Sequence, residues 1–320
     1  MSHALTRRSF LTQTGLALAA SPLISPLTAV ATPSAAEDFS IHLFSKHAQF
    51  LGYDELARVA AELGFDGLDL TVRPGGHVEP ERVETDLPKA VDAMKKAGLR
   101  PLMMTTAIND PADPLTRRVL ETAAKQGIRT YRTAWFHYPD AGSLPEALAG
   151  FRQKMKGLAE MNRQLGLRGA YQNHAGTYVG SSLWEIHELL RETPPEAMGC
   201  QYDIRHATVE GGQSWTTGLR LIAPRINSLD VKDFQWEAAG GKSKLVNKPL
   251  GEGTVEFARY FQMLKKLGIW GPISLHFEYD LGGAQEGSRT PTIPRETIFA
   301  AMRSDLQTLR RMLKEAGLAG

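Results

Sequence analysis

The chain of 320 residues has a single cysteine, Cys200, so no intramolecular disulfide can hold it together and its core must do so. It also lacks an excess of charge: 37 Lys and Arg stand against 35 Asp and Glu, for a formal net charge of +2. Those charges are dispersed along the chain, without the basic stripe that a nucleic-acid partner calls for. Beyond the first residues no apolar run reaches about 18 residues, so stable membrane insertion is not expected. No glycine-rich phosphate loop follows the first apolar strand either, which argues against a dinucleotide-binding fold.

What is present begins with a leader. Arg7 and Arg8 precede Ser9-Phe10-Leu11, and an apolar stretch with two prolines runs from Gly15 to Val30. Small residues follow, with cleavage sites after Ala31 or Ala36. This layout is that of a twin-arginine export signal, too short and interrupted to be a membrane span. It divides the chain into a removable segment, 1–36, and a periplasmic domain, 37–320.

Along that domain short apolar runs alternate with longer amphipathic ones. "SIHLFS", "GLDLTV", "RPLMMTT", "TYRTAWF", "GAYQNH", "MGCQYDI", "INSLDVKD" and "ISLHFEYD" read as strands. Between them lie helical stretches such as "DELARVAAELGF", and Gly64, Gly98, Gly127, Gly166 and Gly268 mark helix exits. Apolar strands separated by helices imply parallel β-structure. Eight such units in a row imply one α/β domain, a closed (β/α)8 TIM barrel, whose usual length of roughly 250 residues fits.

A barrel of this kind does its chemistry at the carboxyl ends of its strands. There the sequence places Lys46 and His47, Arg73 and His77, Trp135 and His137, then Gln172, Asn173 and His174. Asp203 and His206 follow the sixth strand, Asp230, Lys232 and Asp233 the seventh, and His276 and Glu278 the eighth. Buried charges are costly unless paired or bound to metal. Asp203, Asp230, Glu278 and the amide oxygen of Gln172 would converge as four oxygen ligands from adjacent strands. Such a set suits a divalent ion of the Mg, Mn or Zn kind. Trp135, Trp215 and Trp236 offer indole faces on which a sugar ring could stack, and His77, His137 and His206 add polar contacts.

With these segments, and with "YQNHAG", "YDIRHATVEGG" and "PLGEGTVEF" in this order, the chain resembles the sugar phosphate isomerase/epimerase group of xylose isomerase-like barrels. That resemblance implies a divalent metal held by Glu, Asp, His and Glu, positions that fall on Gln172, Asp203, Asp230 and Glu278. It also implies a substrate-holding histidine, which falls on His206. Two of four ligands therefore depart from the pattern. Gln172 cannot take a proton, so Glu278 is the expected base, with His174, His206 or Lys232 opposing it. One base suits isomerisation, elimination or hydration next to a carbonyl. The expected substrate is a small carbohydrate: a free or 3-keto sugar, or a cyclitol. The alternative is an exported carbohydrate-binding protein on an altered barrel. Homo-oligomerisation is compatible with the sequence.

Overall fold

The computed structural model describes residues 39–318; the expected export signal lies outside them. Its strands are β1 (Ile41–Phe44), β2 (Gly67–Val72), β3 (Arg100–Thr106), β4 (Thr130–Arg132) and β5 (Arg168–Gln172). They continue with β6 (Met198–Asp203), β7 (Ile226–Val231), β8 (Asp233–Ala239), β9 (Lys242–Lys248) and β10 (Ile273–Leu275). Eight of these form a closed barrel in the order β1-β10-β7-β6-β5-β4-β3-β2. The ring shuts where Ile41 pairs in parallel with Ile273. This is the single-domain (β/α)8 barrel that the alternation of apolar runs predicts.

Every residue of β1, β2 and β6 is buried, as parallel strands covered on both faces must be. On β2 the alternation separates two environments: Leu68, Leu70 and Val72 join the hydrophobic core. Asp69 instead reaches Thr105 of β3 and Ser274 of β10 inside the barrel. The helices are α1 (Tyr53–Leu63), α2 (Val83–Lys96), α3 (Pro114–Gln126), α4 (Leu144–Leu165), α5 (Leu183–Leu190), α6 (Ile204–Gly211), α7 (Trp215–Ile222), α8 (Phe257–Leu267) and α9 (Arg295–Glu315). Each packs an apolar stripe on the strands; α1, for example, buries Leu56, Ala57, Val59, Ala60 and Leu63, then stops at left-handed Gly64.

Two elements go beyond the eight repeats. The segment after β7 is the antiparallel hairpin β8–β9, which the alternation of strand and helix does not foresee. Gly240 and Gly241 both have positive φ (57° and 80°), the backbone that a two-residue hairpin turn requires at both central positions. The segment after β6 holds α6 before α7, so His206 sits in the first turn of a helix.

Candidate active site at the barrel mouth

Asp203 and Asp230 are register partners across the β6–β7 seam, and both are fully buried. Asp203 is also the N-cap of α6: its Oδ1 accepts the backbone N–H of His206 at 3.0 Å. A capping side chain reaches the third helical residue, so the D-x-x-H spacing has a backbone reason as well as a chemical one. Lys232, one residue past β7, inserts its ammonium between Asp203 Oδ2 (3.1 Å) and Glu278 Oε1 (3.0 Å).

Gln172, at the end of β5, turns its amide nitrogen toward these acids. Its Nε2 donates to Asp203 Oδ2 at 3.0 Å and to Asp230 Oδ2, and its Oε1 accepts from the Arg132 guanidinium. Carboxylates on one side and a guanidinium on the other leave the amide one satisfied orientation. His276 completes the cluster. Its Nε2 lies 3.1 Å from Ser274 Oγ and 3.4 Å from Asp230 Oδ1, and its Nδ1 is 3.5 Å from Glu278. Ser274 in turn donates to Asp69 Oδ2 at 2.7 Å, and Thr105 donates to the same carboxylate.

Burial and pairing set the charges. Burial pushes the Glu278 carboxyl up, but Lys232 and His276 outweigh it and hold it well below the usual range. Burial lowers His276, yet Asp230 overcomes that and raises it. Lys232 is likewise raised, burial being outweighed by Asp203, Glu278 and Asp230. Asp69 and Asp203 are raised, chiefly by burial. His174 is lowered to about 4 by burial and then by Lys232, and His206 falls well below its ordinary value for the same two reasons. Both imidazoles are therefore neutral near pH 7.

The mouth holds a cavity of about 90 Å³ lined by Lys46, Arg73, Arg132, Lys232, His174 and Glu278, with Phe44, Trp135, Gln172 and His276. Of the residues expected to meet substrate, Trp135 is in this wall. His206 is just behind it, its ring centroid 3.9 Å from that of His174. His77, His137 and Trp236 are not in the lining. His77, in the loop after β2, is tied to Thr71 of that strand, and exposed His137 lies against Tyr178 with the two rings tilted by 53°. Trp236 rides on the β8–β9 hairpin, 48% exposed, while Trp215 is buried against Tyr260. Tracing the loops after β2 and β4 and the hairpin after β7 was beyond what residue spacing conveys.

The four expected metal ligands gather at the mouth, but with the Gln172 nitrogen and the Lys232 ammonium among them. A second grouping brings ligand atoms of Asp69, Asp230 and His276 within 4.8 Å of one another, all three residues buried. Two carboxylates and an imidazole form a donor set that fits a divalent ion of intermediate softness, provided His276 gives up its proton. Asp69 and Arg132 were hidden in the apolar runs "GLDLTV" and "TYRTAWF". The available signal was that each puts a charge inside a strand, where charge must be explained.

Among solved structures, the barrel is similar to a D-allulose 3-epimerase from Methylomonas sp., with a TM-score of 0.62 at 18% identity, covering 87% of this chain and 99% of the other. A D-psicose 3-epimerase from Clostridium cellulolyticum H10 gives 0.63 at 11% identity, with 85% and 98% covered. The probable 3-DHS dehydratase AsbF from Bacillus anthracis gives 0.60 at 15%, with 84% and 98% covered. Likeness at these identities is likeness of fold. No curated protein matches the chain by sequence. The family model of the xylose isomerase-like TIM barrel matches residues 57–300, and the chain belongs to that family.

Proposed function

We propose that this barrel is an enzyme that isomerises, dehydrates or hydrates a small carbohydrate by removing a proton next to a carbonyl. The observation that carries the reading is the Lys232–Glu278 pair on the cavity wall, with Nζ and Oε1 3.0 Å apart. Glu278 is ionised and partly open to the cavity, as a proton acceptor must be, while the Lys232 ion pair that holds its pKa down also makes it a weaker base. The ammonium beside it favours negative charge growing on the substrate's carbonyl oxygen. His174 gives its Nδ1–H to the Ala175 carbonyl at 2.9 Å, which leaves Nε2 to accept a hydrogen bond from a substrate hydroxyl. Behind it His206 takes a hydrogen bond from Arg205 at 3.0 Å and stays neutral. Trp135 supplies an indole face.

A divalent ion such as Mn²⁺, Mg²⁺ or Zn²⁺, held by Asp230 and His276 with Asp69 behind them, would polarise the carbonyl as a Lewis acid. Support for the chemistry comes from the similar barrels, whose names include two ketose 3-epimerases and a dehydratase. Support for a sugar or cyclitol met outside the cytoplasm, with a free or 3-keto sugar as the first expectation, comes from the Arg7-Arg8 leader and the export it implies. Replacing both arginines by lysine should keep a tagged precursor in the cytoplasm.

The central test is solvent exchange. Incubated in D₂O with free and 3-keto sugars, the protein should place deuterium beside the carbonyl, and Glu278→Gln should reduce the rate at least 100-fold. Sugar binding that survives chelator with no exchange on any carbonyl sugar would instead favour the binding-protein reading. The Gln172 and Lys232 donors among the acids are what keep that reading in play.

A further inference from the structure

Most of the polar groups at the mouth are accounted for by one another, but the basic ones on one side are not. Lys232 has two carboxylates. Arg132, 5% exposed, has none among the described residues: one guanidinium nitrogen donates to the Gln172 carbonyl oxygen, and its buried Nε finds no partner among them. Its other neighbours are ring faces, Trp135 at 4.6 Å and Phe44 at 5.7 Å. Arg73 lies over the same Phe44 ring at 5.8 Å and forms no ion pair among the described residues. Among the described residues Lys46 is within ion-pair range of one carboxylate, the exposed Glu286, at 3.9 Å. These three cations line the cavity with Lys232, and a single carboxylate, Glu278, faces them.

Such an arrangement costs stability as it stands. A buried guanidinium with an unpaired N–H loses hydration without recompense, and two guanidiniums flanking one ring repel each other. Burial, and next the charge of Arg132, lower Arg73 to about 10, which leaves it a cation at neutral pH. The groups are also placed with purpose relative to the reacting pair. In the ring of strands Arg132 ends β4, opposite β10 and its Glu278, while Arg73 follows β2, two strands round from β10 and three from β7. A molecule spanning the cavity would present one end to the proton-transfer pair and the other to the guanidiniums.

We propose that Arg73, Arg132 and Lys46 form an oxyanion subsite, so that the substrate of this mouth is an acidic carbohydrate bearing a carboxylate or a phosphate. Forked guanidiniums match the two oxygens of either group. The inference rests on the reading of the mouth as a carbohydrate-transforming site, but it is tested by binding, which needs no turnover.

Calorimetric titration of the full chain with D-galactose against D-galacturonate, and with D-glucose against D-glucose 6-phosphate, decides it. At least one charged sugar should bind tenfold or more tightly than its neutral parent, and raising salt from about 50 to 300 mM should erode that preference. Whichever acid shows the larger ratio identifies carboxylate or phosphate as the recognised group. In Arg73→Gln the ratio of charged to neutral affinity should fall at least fivefold, and Lys46→Gln gives a second reading from a more exposed position. Equal affinity for charged and neutral sugars, no binding of either acid at 10 mM, or an unchanged ratio in both variants would each overturn the subsite. Deuterium exchange confined to neutral sugars would remove the subsite and leave the proton-abstraction reading standing. Tight acid binding with no exchange would do the reverse.

Discussion

Gln172 shows how one atom decides what the cluster can hold. Its amide nitrogen donates to both Asp203 and Asp230, so the chain itself supplies hydrogen atoms where a carboxylate would call for a cation. Gln172→Glu reverses that. Asp203 and Asp230 would lose their shared donor and face a third carboxylate, while Arg132 would gain an ion-pair partner. The repulsion outweighs that gain, and without a metal ion the barrel should lose on the order of 1 kcal/mol. With chelator the variant should melt a few degrees below the parent, and added Mn²⁺ should return most of the loss while shifting the parent less. Equal melting of the two proteins in chelator would refute this account of the amide. The acids and Lys232 were legible in the sequence because charge at the end of an apolar run has few places to go. The Gln172 orientation was not, because it depends on Arg132, a residue 40 positions away whose approach only the strand order creates.

At the level of elements, the short motifs prove to be joints as much as chemistry. In "PLGEG", the N–H groups of Gly251 and Gly253 donate to Asp233 Oδ2 at 3.0 and 2.9 Å, so the acid after Lys232 clamps the return from the hairpin. A Cβ at Gly253 would lie 2.3 Å from Asp233 Oδ1, which is why glycine stands there. That clamp and the hairpin left traces in the sequence, the paired glycines above all, but a helix-and-strand alternation absorbs them as loop. The last helix carries a pH-sensitive contact. Asp305 of α9 is pushed up to about 7 by burial, with the charges of Glu252 and Asp233 adding to it. A carboxyl raised on folding stabilises the fold while protonated, so its contribution is whole below the unfolded value near 4. It drains away as pH climbs to about 7, at up to about 1.4 kcal/mol per pH unit. Asp305→Asn should therefore gain on the parent as pH rises from 5 to 8 in paired thermal melts. Parallel curves for the two proteins would show that Asp305 is not the group responsible.

For the molecule as a whole, what matters is that the sheet has no edge. Eight repeats of apolar strand and amphipathic helix made closure legible, because each parallel strand needs cover on both faces and a neighbour on both sides. The same closure links distant parts. Gly67 opens β2 where its backbone passes between β1 and β3: an added Cβ would lie 2.4 Å from the Arg100 carbonyl oxygen and 2.5 Å from His42 Nδ1. An open sheet could shed such a clash by fraying a strand. Here β2 is held by register pairs on either side, His42 with Gly67 and Gly67 with Arg100, so the strain must be carried or the ring must open. Gly67→Ala should cost about 3 kcal/mol or more, which for a domain of this size is a fall of roughly 6–12 °C. Because the ring opens as a unit, far-ultraviolet circular dichroism and tryptophan fluorescence should fall together in a single shifted transition. Ligand binding at the mouth should disappear at that same temperature, although Gly67 takes no part in it. Two separated transitions, with the mouth lost first, would mean that the barrel's halves hold independently and that closure is not what keeps the site assembled.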